Sequence, residues 1–163
     1  DYAEAHNNLG VVECQQEKFD QAIKSFEKAI DIQPNYAQAH SNLGNTLFEL
    51  GQLETAIKSY EKVIAIKPDN AEAHFNLGNT LRKLGQLDEA VKYYEKAISI
   101  EANFVEAYHN LAVALQQLDQ HNQAIKCYKK ALAIKPDYYE AYNNLGIVYQ
   151  QLGQINKIGR AHV

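Results

Sequence analysis

The 163-residue chain has no tryptophan, no methionine, three prolines and two cysteines. Cys14 and Cys127 lack Cys-x-x-Cys spacing, so neither a disulfide framework nor a thiolate zinc site is supported. There is no Asn-x-Ser/Thr acceptor, no signal-peptide pattern and no apolar run of bilayer length. Membrane insertion is therefore not expected, and a cytoplasmic setting with reduced thiols is the plainest expectation. Charge of one sign is scarce too: 16 Lys and Arg against 20 Asp and Glu leave a net charge of -4. That balance gives no global attraction to nucleic acid or anionic lipid, and no basic stripe falls on a candidate binding face. The HExxH, GxSxG and phosphate-loop patterns are missing, so the residues point to no enzyme and no cofactor. With 46% hydrophobic and 22% charged residues, the composition is that of a folded globular chain.

What the chain has is a period. Asn-Leu pairs recur as Asn8-Leu9, Asn42-Leu43, Asn76-Leu77, Asn110-Leu111 and Asn144-Leu145, each 34 residues after the last. The units run 1–34, 35–68, 69–102 and 103–136, with a partial fifth over 137–156. Each predicts an Ala-rich helix such as 37–50, a Gly-Gln turn at Gly51-Gln52, and a second helix such as 54–67. Pro34, Pro68 and Pro136 read as helix stops, with Ala102 in the third unit's equivalent place.

At 100° per residue, Ala37, Ala39, His40, Leu43, Gly44, Thr46, Leu47 and Leu50 share one arc of the first helix. Gln38, Ser41, Asn42, Asn45, Phe48 and Glu49 share the other. The first arc is the expected core. Gly44 and Ala56 let helices approach, and Tyr60, Ile57 and Ile64 fill the space beside them. One pair cannot bury its apolar face alone, so stacking must supply the stability.

These units resemble the tetratricopeptide repeat family, a helix-turn-helix of the same 34-residue length. The likeness rests on Leu43-Gly44, Ala56, Tyr60 and Pro68 in the second unit and on Leu77-Gly78, Ala90 and Tyr94 in the third. His6, His40 and His74 stand where that family has Trp or Tyr, which Tyr108 and Tyr142 supply; Ala112 and Val63 replace a Gly and an Ala. The resemblance implies an all-α, right-handed superhelical solenoid of antiparallel helix pairs, first helices lining the concave wall and second helices outside. On the outer helices Lys24, Lys58, Lys92 and Lys126 alternate with Glu27, Glu61 and Glu95, which reads as solvated charge.

That placement turns Asn8, Asn42, Asn76, Asn110 and Asn144 toward the groove. Asparagine is a poor helix former, and an amide can donate to a backbone carbonyl while accepting from a backbone N–H. At roughly 9–10 Å between helices and about 3.3 Å per extended residue, one asparagine would meet about every third residue of a bound peptide. The rival reading is that each amide bonds to a neighbouring helix and fixes the stacking. Glu72 lies one turn earlier and Asn45 and Asn79 one turn later, in a neutral to acidic groove. The expected partner is a protein or extended peptide.

Chaperone-binding members clamp a terminal carboxylate with Lys and Arg. The comparable places here hold Asn7, Asn8, Val11, Asn42, Glu72 and Asn76, so acidic C-terminal chaperone peptides are not expected partners. The stretch AHSNLGNTL is similar to the asparagine-ladder arm of O-linked N-acetylglucosamine transferase. That likeness raises a second expectation, a substrate-recruiting arm of a larger glycosyltransferase-like enzyme. His6, His40 and His74 occupy the aromatic slot one per unit, which favours core imidazoles over metal ligands.

At the C-terminal end the pattern fails over 157–163: Ile158 stands where Ala22, Ala56, Ala90 and Ala124 stand, and Gly159 where the others have Ile or Val. Residues 158–163 can be translated from a common sequencing-library adapter, so read-through there is an expectation. Tyr139, Tyr142, Leu145 and Tyr149 would then lack a full second helix, favouring self-association or fraying.

Overall fold

The computed structural model describes the backbone of residues 2–161 and the side chains of residues 2–153. Among these residues the regular structure is helical throughout. The chain divides into two compact units, Asp1–Gly85 and Gln86–Val163. The first holds α1 (Tyr2–Gln15), α2 (Phe19–Ile32), α3 (Ala37–Glu49), α4 (Leu53–Ile66) and α5 (Ala71–Lys83). The second holds α6 (Leu87–Ile100), α7 (Val105–Gln117), α8 (His121–Ile134) and α9 (Tyr139–Ala161). Within each unit consecutive helices pack on one another, and alternate helices touch: α1 with α3, α3 with α5, and α7 with α9.

The turns inside the first, second and fourth repeats close by the same pair of backbone bonds. After α3, the Gly51 N–H reaches the Phe48 carbonyl at 3.0 Å and the Gln52 N–H reaches Leu47 at 2.9 Å, a Schellman closure with Gly51 at φ +74. Glu17 (φ 59) and Asp119 (φ 58) adopt that left-handed conformation without being glycine. Their turns close the same way, Lys18 N–H on Glu13 at 2.9 Å and Gln120 N–H on Leu115 at 2.8 Å. Gly153, in the same register, does not turn: α9 runs on to Ala161.

The prolines stand two residues past the helix ends, directly after the C-cap residues Gln33, Lys67 and Lys135. Tyr36 N–H donates to the Gln33 carbonyl at 3.0 Å and Asn70 N–H to Lys67 at 3.1 Å, four-residue turns with proline second, where its fixed φ fits and no N–H is required. Glu101 to Phe104 closes likewise at 3.1 Å with Ala102 in the proline's place. The carbonyls of Pro34 and Pro68 then serve the next repeat. His40 Nε2 lies 2.9 Å from the Pro34 carbonyl and His74 Nε2 lies 2.9 Å from that of Pro68, so both imidazoles tie a linker to the helix that follows it. Both are buried, which accounts for histidine in an aromatic slot.

The core is periodic. Ala22, Ala56, Ala90 and Ala124 are each 0% exposed, and Phe26, Tyr60, Tyr94 and Tyr128 are at most 2% exposed. A Cβ placed on Gly44 would lie 2.8 Å from Tyr60 Cε1, and one on Gly10 would lie 2.6 Å from Phe26 Cε1. Those glycines are needed for contact with a ring and not for backbone freedom. The core arc expected on α3 is observed except at Leu43, which is half-buried, and at Leu50, which caps the helix and is 38% exposed. Gly146 occupies the same register as Gly44 but meets nothing within 4 Å. Around it Tyr139, Tyr142, Ile147 and Tyr149 are exposed, and Leu145 is half-buried. The side chains of 154–163, and with them the read-through expectation, lie outside the described residues.

Two outcomes follow. Gly44→Ala should lower stability by roughly 1–3 kcal/mol, since Tyr60 is packed on all sides, whereas Gly146→Ala should raise it by roughly 1 kcal/mol through helix propensity. Thermal unfolding followed by circular dichroism checks the opposite signs. Light scattering should show concentration-dependent association that Tyr142→Glu with Tyr149→Glu reduces; a strictly monomeric protein at high concentration would contradict it.

Candidate functional site

In the first unit the polar faces of α1, α3 and α5 form two neighbouring clefts. The cleft between α3 and α5 has a volume of about 310 Å³ and is lined by Asn45, Phe48, Glu49, Tyr60, Glu72, Asn76 and Asn79. It gathers Asn45, Asn76, Asn79 and Glu72 of the residues expected from the sequence. The cleft between α1 and α3, about 260 Å³, has Val11, Cys14, Phe19 and Phe26 as its apolar wall and Asn42, Asn45 and Glu49 on its rim. Glu49 and Asn45 belong to both.

The amides are half-buried or exposed, and they are also bonded to one another. Asn42 Nδ2 donates to Asn7 Oδ1 on α1 at 2.9 Å, while Asn42 Oδ1 accepts from Gln38 Nε2 at 3.1 Å. Asn76 Nδ2 donates to Asn45 Oδ1 at 3.3 Å. An amide carries two N–H donors and two lone pairs, so the bonds named for Asn42 leave one N–H and one lone pair. Lateral bonding between helices and a surface open to a ligand therefore coexist at this position. Asn8 is exposed on α1, with its Oδ1 3.5 Å from Asn7 Nδ2. In the second unit Asn110 on α7 and Asn144 on α9 are half-buried, and Asn144 Nδ2 lies 3.5 Å from His109 Nε2.

Tyr60 is the functional residue that periodicity hides, because its ring belongs to the core and its hydroxyl to the cleft. The O–H donates to Asn45 Oδ1 at 2.8 Å. Burial, and then the carboxylates of Glu49 and Glu72, push the phenol above the ordinary tyrosine range, so it remains a donor. Tyr128, in the register of Tyr60, donates to Gln116 Oε1 at 3.1 Å in the second unit, an acceptor in the register of Phe48 and not of Asn45. Phe26, in the same register, has no hydroxyl, and the residues above it are Val11 and Cys14. The sequence signals for this asymmetry are Phe26 in the register of Tyr60 and Val11 and Cys14 in the registers of Asn45 and Phe48.

No three His, Cys, Asp or Glu side chains converge as a metal site among the described residues. No helix there is long and apolar enough to cross a membrane. Burial, then Glu95, pushes the Cys127 thiol up to about 11. The protonated thiol is the form the fold favours, so its contribution to stability holds below the ordinary thiol range and is lost as pH rises through about 11. Alkylation of Cys127 by iodoacetamide at pH 8 should be about a hundredfold slower than for an ordinary free thiol, and unfolding in urea should remove the difference. An equal rate in the folded protein would contradict this burial.

Models of the tetratricopeptide repeat match residues 12–51, 44–84 and 117–153, with further matches over 71–104 and 93–126. No curated protein sequence matches the chain. Among solved structures, the crystal structure of MamA aligns with a TM-score of 0.85 and 28% identity over 88% of this chain and 84% of that one. The first tetratricopeptide domain of Spaghetti (RPAP3), bound to the HSP90 peptide SRMEEVD, aligns with a TM-score of 0.71 and 26% identity over 72% of this chain and 93% of that one. YrrB, described as a tetratricopeptide protein with an unusual peptide-binding site, aligns at 0.78 with 21% identity over 91% and 76% of the two chains. The expected fold class, an all-α solenoid of antiparallel helix pairs, is the fold these structures share.

Proposed function

The chain belongs to the tetratricopeptide repeat family, and from that premise we propose that it is a non-catalytic interaction scaffold that holds an extended peptide against the polar face of its first helices. The observation that carries this reading is the convergence of Asn45, Asn76, Asn79 and Glu72 on one open cleft beside the Tyr60 hydroxyl. Asn8, Asn42, Asn76, Asn110 and Asn144 are the backbone-holding series, the asparagine-ladder type of this family. Two of the solved relatives are described with a peptide or a peptide-binding site, which supports the same class of ligand.

The chemistry disfavours acidic tails. Glu49 and Glu72 line the α3/α5 cleft, and Asn7, Asn42 and Asn76 stand where a carboxylate clamp would require cations. The peptide SRMEEVD, which the Spaghetti domain binds, should bind this chain more weakly than an uncharged peptide of the same length when both are followed by titration calorimetry.

Each net hydrogen bond contributes about 1 kcal/mol, so replacing Asn42, Asn76 and Asn110 together by alanine should weaken an array-selected peptide by about a hundredfold. Thermal unfolding of the same variant reads the lateral bonds separately. Lower stability with unchanged peptide affinity would mean that the amides only space the helices.

A further inference from the structure

The two clefts of the first unit differ in chemistry although they are built from the same repeat. In the α3/α5 cleft the buried ring is Tyr60, whose hydroxyl is spent on Asn45, and the walls carry amides and two carboxylates. In the α1/α3 cleft the buried ring is Phe26, and Val11 and Cys14 stand at the positions that Asn45 and Phe48 occupy one repeat later. Cys14 Sγ is 3.3 Å from Thr46 Oγ1, which turns the thiol's polar contact inward to α3 and leaves a largely apolar notch.

The charged residues that line the two clefts are carboxylates, and Arg82, in the register of Phe48 on α5, stands outside that lining. Glu49 lines both clefts and Glu72 lines the second. Glu13 is turned away by a bond from Ser25 Oγ at 2.6 Å. Lys83 Nζ sits 4.5 Å from the Phe48 ring centre, and Lys83 is not among the residues that line the second cleft.

We propose that residues 2–85 select a peptide that seats an aliphatic or aromatic side chain in the notch of Val11, Cys14, Phe19 and Phe26 and brings a lysine or arginine, three residues away, to Glu49 and Glu72. This rests on the reading of the inner face as a peptide groove. The three-residue interval follows from helix spacing: neighbouring first helices about 9–10 Å apart span three residues of extended chain at about 3.3 Å each. Apolar burial in the notch supplies affinity, and the carboxylates choose the sign of the second residue.

The test is fluorescence polarisation with labelled, end-blocked decapeptides carrying Leu-x-x-Lys or Lys-x-x-Leu on a Ser/Gly background. Companions replace Leu by Ser, or Lys by Ser or Glu. One of the two orders should bind about tenfold tighter than its Ser-for-Leu companion and about fivefold tighter than its Ser-for-Lys companion, with the Glu peptide weakest. Val11→Asp should abolish the preference for Leu and leave that for Lys. Glu49→Gln with Glu72→Gln should do the reverse; both sites are exposed, so folding should survive, which circular dichroism verifies. Binding that is lost in the asparagine triple variant but indifferent to Leu and Lys would overturn this inference alone. No binding of any peptide would overturn the groove reading as well, and equal or tighter binding of the Glu peptide would overturn the charge assignment.

Discussion

In the first two helix pairs the structure depends on a glycine meeting an aromatic ring at van der Waals distance. Gly10 with Phe26 and Gly44 with Tyr60 show it directly: no side chain, not even a methyl group, fits between the helices. That approach fixes how the second helix lies on the first, which sets the direction in which the polar arc of the first helix faces. The 0% exposed alanines at Ala22 and Ala56 are the other half of the same contact. The amides on α3 and α5 are positioned by this packing, whose rings Phe26 and Tyr60 also line the two clefts.

The same contact links core to groove. Tyr60 is anchored by Gly44 through its ring and reaches Asn45 through its hydroxyl, so a core side chain orients a surface amide. Where the ring is Phe26, that orientation is absent and the cleft is apolar. The polar position pairs the Tyr60 hydroxyl with Asn45, and the apolar one pairs Phe26 with Val11. A repeat protein can vary recognition in this way with the backbone held constant.

Much of this was legible in the sequence because it is periodic. The 34-residue spacing, the buried arc of α3 and the linker prolines each recur, and physical requirements that recur become visible without a structure. Turn chemistry was legible only in part. Glu17 and Asp119 turn without glycine, while Gly153 is glycine and does not turn. The turn is held by the packing of the returning helix, and beyond Gly153 the sequence has Ile158 and Gly159 in place of the small and branched residues that pack elsewhere. Lateral bonds such as Asn42 to Asn7 were illegible for a different reason: they join residues in different repeats, and spacing says only which face an amide shares. Leu50 was misplaced because a helical wheel continues past the residue at which the helix ends.

The central claim is that amides bonded between helices also present their remaining donors and acceptors to a bound backbone. The direct measurement is a titration of asparagine-labelled protein with an array-selected peptide, followed through the side-chain NH2 resonances. The account predicts that the signals of Asn42, Asn45 and Asn76 move together and saturate at the same peptide concentration. Saturable binding of the same peptide, followed in parallel by fluorescence polarisation, that leaves those three amide signals unmoved would contradict it.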